Sequence, residues 1–256
     1  MSDTSKKQKL LHTGAEIFGA AIGGAIGLVA GPAGAIGGGV AGVIVSKGLI
    51  EFADRVLSYR EQARVGAAAG LTIVGIQNRI DIGQQLRHDN FFESEDIHRS
   101  KAEELFEGIL LKCKNEYEEK KIKYITKIYE NVAFDTSVLP EHANQILNLV
   151  QQLTYRQLSL LSFVGQNIDN IFEIRNEDYR RNETYDFSIE LQFLLQNIME
   201  LERRGLIYRN DNQALLYFGD VASGKMTLTE IGKDYYKLMN LYEMPNTEFN
   251  FIELLK

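Results

Sequence analysis

A glycine-rich stretch near the N-terminus constrains the fold more than any other part of this sequence. Twelve of the 22 glycines in the 256 residues lie between Gly14 and Gly48. The 29 residues from Ile17 to Val45 carry no charge and no side chain that can hydrogen-bond. A glycine in a water-exposed helix costs up to about 1 kcal/mol relative to alanine. The stretch therefore needs close packing or lipid if it is to be stable as a helix.

The glycines of this stretch repeat every four residues in two runs. Residues four apart lie on one face of a helix, so each run predicts a smooth groove that another backbone can approach closely. Ser46 places a further small residue at the end of the second run. We interpret the pattern as a glycine zipper that contacts a membrane or other copies of the chain. Its residues are Gly19, Gly23, Gly27, Gly31, Gly34, Gly38 and Gly42.

The length of the stretch limits how it can meet a membrane. An unbroken helix of these residues would be about 43 Å long, which exceeds a bilayer core of about 30 Å. A break at Gly31 and Pro32 would give two arms of about 21 Å, each too short to cross alone. We expect a polar basic leader over residues 1–13 and a glycine-rich helical hairpin over 14–50. The hairpin would be re-entrant in a membrane, a kinked oligomeric span, or buried in a soluble protein.

Residues 51–152 are predicted to form a helical middle domain. A second small-residue stretch, Gly66–Gly75, carries a helical pattern, and polar residues predict a loop over Arg87–Asp96. Apolar positions then recur every three or four residues over Ser100–Phe134, which indicates one long helix or two collinear ones. The charge run Glu116–Lys123 is interpreted as a solvated face of that helix.

Residues 153–256 predict a winged-helix-like domain, which makes the whole chain mainly α. Thr154 and Gln157 have the spacing of a capping box. A second helix over Phe187–Arg204 would end at Gly205. Strand-like runs and a closing helix capped by Thr229 follow: Leu206–Tyr208, Ala214–Phe218, Met226–Leu228 and Glu230–Leu241. Two helices, a short β-hairpin and a third helix resemble the winged-helix domain.

The charge of the chain argues against nucleic acid as a partner. The formal net charge is −7, and residues 153–256 contain 11 Lys and Arg against 16 Asp and Glu, a net of −5. Phosphate contacts require clustered Lys and Arg. The winged-helix contact would include Arg203 and Arg204 at the end of the second helix. We expect that contact to favour a protein over DNA.

No motif in the sequence predicts catalysis. Gly37, Gly39 and Gly42 match the glycine spacing of a dinucleotide site, but no strand precedes them. The four histidines are isolated and have no zinc-ligand spacing. Cys113, the single cysteine, makes a reducing cytoplasm the expected compartment. We expect a protein that is not an enzyme and has no cofactor or metal.

The zipper over Gly19–Gly42 and the winged tail together resemble the architecture of bacterial abortive-infection effectors, which act against phage. The resemblance implies a membrane-disrupting or pore-forming protein, cytoplasmic when latent and in the inner membrane when active. Its partners would be membrane lipid, other copies of the chain in a homo-oligomer, and a protein trigger of phage origin. The alternative is a soluble winged-helix transcriptional regulator or scaffold whose zipper is a buried dimer interface.

A latent state would have to cover the apolar segment, because monomers rarely expose apolar patches larger than a few hundred Å². The candidate covers are the apolar faces of Gly66–Leu86 and of Leu105–Val132, or a second subunit. On this hypothesis, aspartate at Ile125 and Ile128 would loosen the cover.

Overall fold

A computed structural model describes two compact units, which comprise residues 1–152 and 153–256. The residues it describes are 57–94, 99–168, 171–179, 187–210 and 217–256. Over these ranges the chain is mainly α, with seven α-helices and a two-stranded antiparallel sheet, which confirms the predicted fold class. The leader, the glycine-rich hairpin and all seven predicted zipper glycines lie outside the described residues.

Unit 1 contains four described helices that share one core. They are α1 (Tyr59–Asp81), α2 (Lys101–Asn115), α3 (Ile122–Val132) and α4 (Pro140–Gln152). Helix α1 packs against α2 and α3, and both of those helices also pack against α4. Apolar side chains with no exposed surface fill the space between them, among them Val65, Leu105, Ile109, Ile125, Ile128 and Tyr129.

Helices α2 and α3 pack against each other, so the predicted long or collinear helix over 100–134 is wrong. Ile125 and Ile128 are fully buried between the helices of unit 1. They belong to its core and offer no free surface that could cover another segment. Aspartate at either position would bury an unpaired charge, and we expect it to unfold the unit rather than release a latent state.

The chain turns between α2 and α3 around a buried ion pair. Lys121 Nζ lies 2.6 Å from Glu116 Oε2, and the two side chains expose only 2% and 3% of their surface. The backbone N–H of Glu118 donates to Glu116 Oε1 at 2.9 Å, and Arg64 Nη1 donates to the carbonyl of Glu116 at 2.5 Å. The predicted solvated helix face is therefore wrong at these two positions, because each charge satisfies the other away from water.

Helix α1 begins at a capping box formed by Ser58 and Glu61. Ser58 has extended backbone angles, and its hydroxyl accepts from the N–H of Glu61 at 3.4 Å. The carboxylate of Glu61 in turn accepts from the N–H of Ser58 at 2.7 Å, which completes a capping box. Ser58 is therefore the N-cap of α1, and the helix begins at Tyr59.

Two arginines fix the C-terminal end of α1 and the loop after it on α3. Arg79 Nη1 donates to the carbonyl of Glu130 at 3.0 Å and to Asn131 Oδ1 at 2.8 Å. Arg87, within the predicted loop, is buried and donates to the carbonyl of Val132 at 3.1 Å. These contacts determine which face of α1 points into the unit.

Unit 2 contains α5 (Tyr155–Gln166), α6 (Ile189–Arg203), β1 (Ile207–Arg209), β2 (Met226–Leu228) and α7 (Glu230–Leu238). The capping box at Thr154 and Gln157 is confirmed, with hydrogen bonds of 2.9 and 3.2 Å between them. Gly205 follows α6 with a φ of +69°, a left-handed conformation that suits glycine at a helix end. Thr229 caps α7 by accepting from the N–H of Gly232 at 2.9 Å.

The two-stranded sheet pairs strands that are distant in sequence. Ile207, Tyr208 and Arg209 lie opposite Leu228, Thr227 and Met226. Of the predicted middle strand, residues 214–216 lie outside the described residues, and Phe218 begins a short 3-10 turn that ends at Asp220. The partner of β1 is therefore the last of the three strand-like runs.

Replacing Lys121 by Met should lower the free energy of unfolding by about 3–5 kcal/mol, because it leaves the Glu116 carboxylate buried and unpaired. Denaturant unfolding followed by circular dichroism measures the change. Replacing the exposed Lys120 by Met is the matched control and should cost less than about 0.5 kcal/mol. Equal effects of the two substitutions would show that the buried pair does not organise the turn.

Candidate interaction surfaces

The inner face of α1 is fully used by packing within unit 1. Its buried side chains recur every three or four residues and include Val65, Ala68, Ala69, Thr72, Ile73 and Ile76. The two alanines are small enough to let neighbouring helices approach closely. The Thr72 hydroxyl donates to the carbonyl of Ala68 at 2.9 Å, so its burial costs no unpaired polar group.

The outer face of α1 is apolar and exposed over its middle turns. Leu71 and Val74 expose 42% and 57% of their surface. Together with Ala63, Ala67 and Gly70 at the same helical spacing, they form what we call the outer face. A Cβ placed on Gly70 would meet no atom within 4 Å, so the space beside it is open.

Polar residues bound the outer face at both ends. Arg60 lies on the N-terminal side, Arg64 flanks the face one residue after Ala63, and Asn78 and Asp81 lie on the C-terminal side. From Ala63 to Val74, at 1.5 Å per residue, the apolar part is about 17 Å long. An exposed apolar patch with a polar rim is typical of a site that contacts a protein or a membrane.

The three glycines of the stretch Gly66–Gly75 lie in different surroundings. Gly66 is buried in the inner face. A Cβ on Gly75 would overlap the carboxylate of Glu130, so glycine there makes room for that buried group. Lys127 Nζ lies 2.7 Å from the same carboxylate. Gly70, in contrast, faces open space and contacts no packed side chain among the described residues.

The exposed face of α6 combines apolar and charged side chains. Ile189 and Phe193 expose 68% and 62% of their surface. Gln196, Glu200 and Arg203 continue the same face at helical spacing. Large exposed apolar side chains one turn apart are typical of a protein contact. Their exposure has no clear signal in the sequence, because Ile189 and Phe193 fit the pattern of a buried face equally well.

The structure places Arg203 and Arg204 at the C-terminal end of α6, where both approach one carboxylate. Arg203 Nη1 lies 3.4 Å from Glu200 Oε1, and Arg204 Nε lies 4.0 Å from Glu200 Oε2. Arg209, also nearby in sequence, is buried and donates to Glu202 Oε2 at 3.1 Å. The carboxylates of Glu200 and Glu202 therefore offset the positive charge that contact with a phosphate backbone would need.

The residue types that most often ligate metals or act as nucleophiles include His, Cys, Asp and Glu. Within the ranges that the structure describes, no group of three or more His, Cys, Asp or Glu could hold a metal ion. Cys113 is buried in unit 1, and burial raises the pKa of its thiol. Burial also raises the pKa of the Tyr129 hydroxyl, which lies in the same core. Both residues contribute to packing and are shielded from substrates.

An open groove of about 730 Å³ lies in unit 2, near the C-terminus of the sequence. Phe172 and Phe249 line its apolar part, and Arg175, Glu253 and Lys256 contribute charge to its walls. Lys256 Nζ lies 2.6 Å from Glu253 Oε1, so these two charges offset each other. The groove has room for a side chain or a small molecule, but the charged residues in its walls do not indicate one class of ligand.

Comparisons with known proteins add no assignment to these surfaces. No family model, curated protein or solved structure matches the chain. The resemblance to abortive-infection effectors and to the winged-helix domain therefore stays a prediction. Among the described residues, none of the helices has the length and apolar character needed to cross a membrane.

Native Cys113 should react with a disulfide reagent such as Ellman's reagent about a hundredfold more slowly than the unfolded chain, because burial hides the thiol and disfavours the thiolate. The raised pKa means that increasing the pH to 9 should not abolish this protection. Absorbance of the released thiolate measures the rate, with denaturant as the control. Fast labelling of the native protein would show that the α2 core opens readily.

Replacing Arg203 and Arg204 by Ala should leave the affinity for labelled duplex DNA unchanged and weak at physiological ionic strength, because both arginines already approach Glu200. Fluorescence anisotropy over a salt series measures this affinity. Sequence-selective binding by the parent protein, with a salt dependence that falls in the double variant, would contradict the protein-contact interpretation of α6.

Proposed function

We propose that this chain is a non-enzymatic, membrane-active protein in which the glycine-zipper segment disrupts a bilayer by oligomerising. The observation that supports the proposal is the exposed apolar outer face of α1. This face begins at Ala63, 18 positions after the uncharged residues 17–45 end. Apolar surface is thus concentrated in one region of the sequence, and a bilayer or tightly packed helices would cover it.

The composition of the glycine segment favours membrane activity over a role as a soluble spacer. Twelve glycines would make a water-exposed helix costly, since each is worth up to about 1 kcal/mol relative to alanine. In lipid the same residues allow helix backbones to approach closely, which is how small residues stabilise helix association. An oligomer built through the two glycine runs would therefore gain most where lipid surrounds it.

Unit 2 would supply recognition of the trigger through a protein contact. The face of α6 that carries Ile189 and Phe193 provides exposed apolar area, and Glu200 lies beside the two arginines on the same helix. A protein ligand suits this mixture better than a nucleic acid does, because the region lacks a cluster of unbalanced positive charge. A trigger of phage origin, with latency before it arrives, would place the chain in bacterial anti-phage defence.

Release of a trapped dye from vesicles of phosphatidylcholine and phosphatidylglycerol tests the membrane activity. The double variant Gly23→Leu with Gly27→Leu should lose leakage, because leucine fills the groove of the first glycine run and separates the helices. The matched control, Ile22→Leu with Ile26→Leu, alters neighbouring positions in the same segment and preserves the glycines. It should leak like the parent protein.

Deleting residues 14–48 should remove leakage and leave the circular dichroism of units 1 and 2 helical. Equal leakage from the glycine and isoleucine double variants would contradict the zipper. If the parent protein forms stable dimers through the segment and causes no leakage under any condition, the scaffold alternative explains the segment better.

A further inference from the structure

We propose that the outer face of α1 is the resting-state docking site for the glycine-rich segment of the same chain. Residues 34–46 would lie antiparallel to α1, with Gly38 beside Leu71 and Gly42 beside Ala67. The inference rests on the proposed function, because it names how the membrane-active segment is held before the trigger arrives. On this proposal, one face of α1 packs in the core of unit 1 and the opposite face holds the segment in its resting state.

The exposure of the outer face is the first reason for this assignment. Leu71 and Val74 are large apolar side chains on a helix whose opposite side is fully buried. A Cβ on Gly70, which precedes Leu71, would meet no atom within 4 Å, so a helix can approach closely there. The apolar segment needs a cover of this kind in water, and Ile125 and Ile128 provide none because they are fully buried.

The two surfaces also match in length and in size of side chain. The second glycine run, extended by Ser46, is about 18 Å long if helical, and the outer face is about 17 Å long. Leu71 and Val74 would pack against small residues of the segment. The isoleucines and valines of the segment would pack against small residues of α1. Helices packed in this way approach more closely than helices with large residues on both sides.

The start of α1 provides the change of direction that the docking requires. The capping box at Ser58 ends the helix there, with the N-cap backbone extended. Eleven residues, 47–57, lie between Ser46 and Ser58. They can span up to about 40 Å when extended, which exceeds the 8–10 Å between packed helix axes. The segment can therefore return along the helix that follows it.

A cross-link between the two surfaces tests the docking in the absence of a membrane. In the full chain, Gly42→Cys with Ala67→Cys should form an intramolecular disulfide on mild oxidation, found by mass spectrometry in the monomer band of a non-reducing gel. Native Cys113 is buried and remains in place. The matched control pairs Gly42→Cys with Glu104→Cys, an exposed position on α2, and should form far less of this product.

A second pair of variants tests whether the docking restrains the segment. Leu71→Asp with Val74→Asp places charges on the outer face and should speed vesicle leakage about tenfold by shifting the population towards the released segment. Leu139→Asp, at an exposed apolar residue of unit 1 away from α1, should leak like the parent. Because all three side chains are exposed, unchanged thermal unfolding of unit 1 is expected and serves as the folding check.

The possible outcomes separate this inference from the proposed function. The intramolecular disulfide in a parent protein that never causes leakage supports the docking and removes the membrane role. Cross-links confined to dimers would assign the outer face to a contact between copies and overturn the intrachain site. No disulfide above the α2 control would also overturn it, and so would aspartate variants that leak no faster than a parent protein that does cause leakage.

Discussion

The close packing of α1 against α2 and α3 is the contact on which the rest of unit 1 depends. Ala68 and Ala69 let the helices approach, while Ile73 and Ile76 fill the space toward the C-terminal end. Arg79 anchors that end by donating to groups on α3. Because these contacts orient the helix, they also determine that Leu71 and Val74 face outward. The exposed surface is thus a consequence of how the core is built.

Buried charge in both units is handled by local pairing. Glu116 and Lys121 neutralise each other at the turn between α2 and α3, and Arg209 pairs with Glu202 beside β1. Removing one member of such a pair destabilises the fold by more than the intact pair stabilises it, because the remaining charge is buried without a partner or water. These groups therefore specify local geometry. They leave the apolar surfaces of α1 and α6 as the described features that best fit a binding role.

The proposed membrane activity and the proposed docking would use the same glycines for two different contacts. At rest, small residues would receive the large side chains of α1, and in the membrane they would receive other copies of the segment. A switch of this kind requires the two states to differ by only a few kcal/mol, so that a trigger can shift their populations. Alanine and glycine on α1 would let the proposed resting contact be close and still small enough to be released.

The sequence by itself determined the helical class, the capping box at Thr154 and the end of α6 before Gly205, because these depend on residues a few positions apart. It also determined the uncharged glycine segment, which is a matter of composition. Tertiary structure alone decided that Glu116 and Lys121 are buried, that β1 pairs with Met226–Leu228, and that Leu71 and Val74 remain exposed. Each of these depends on contacts between distant residues, and helical periodicity does not state which of two apolar faces a neighbour will cover.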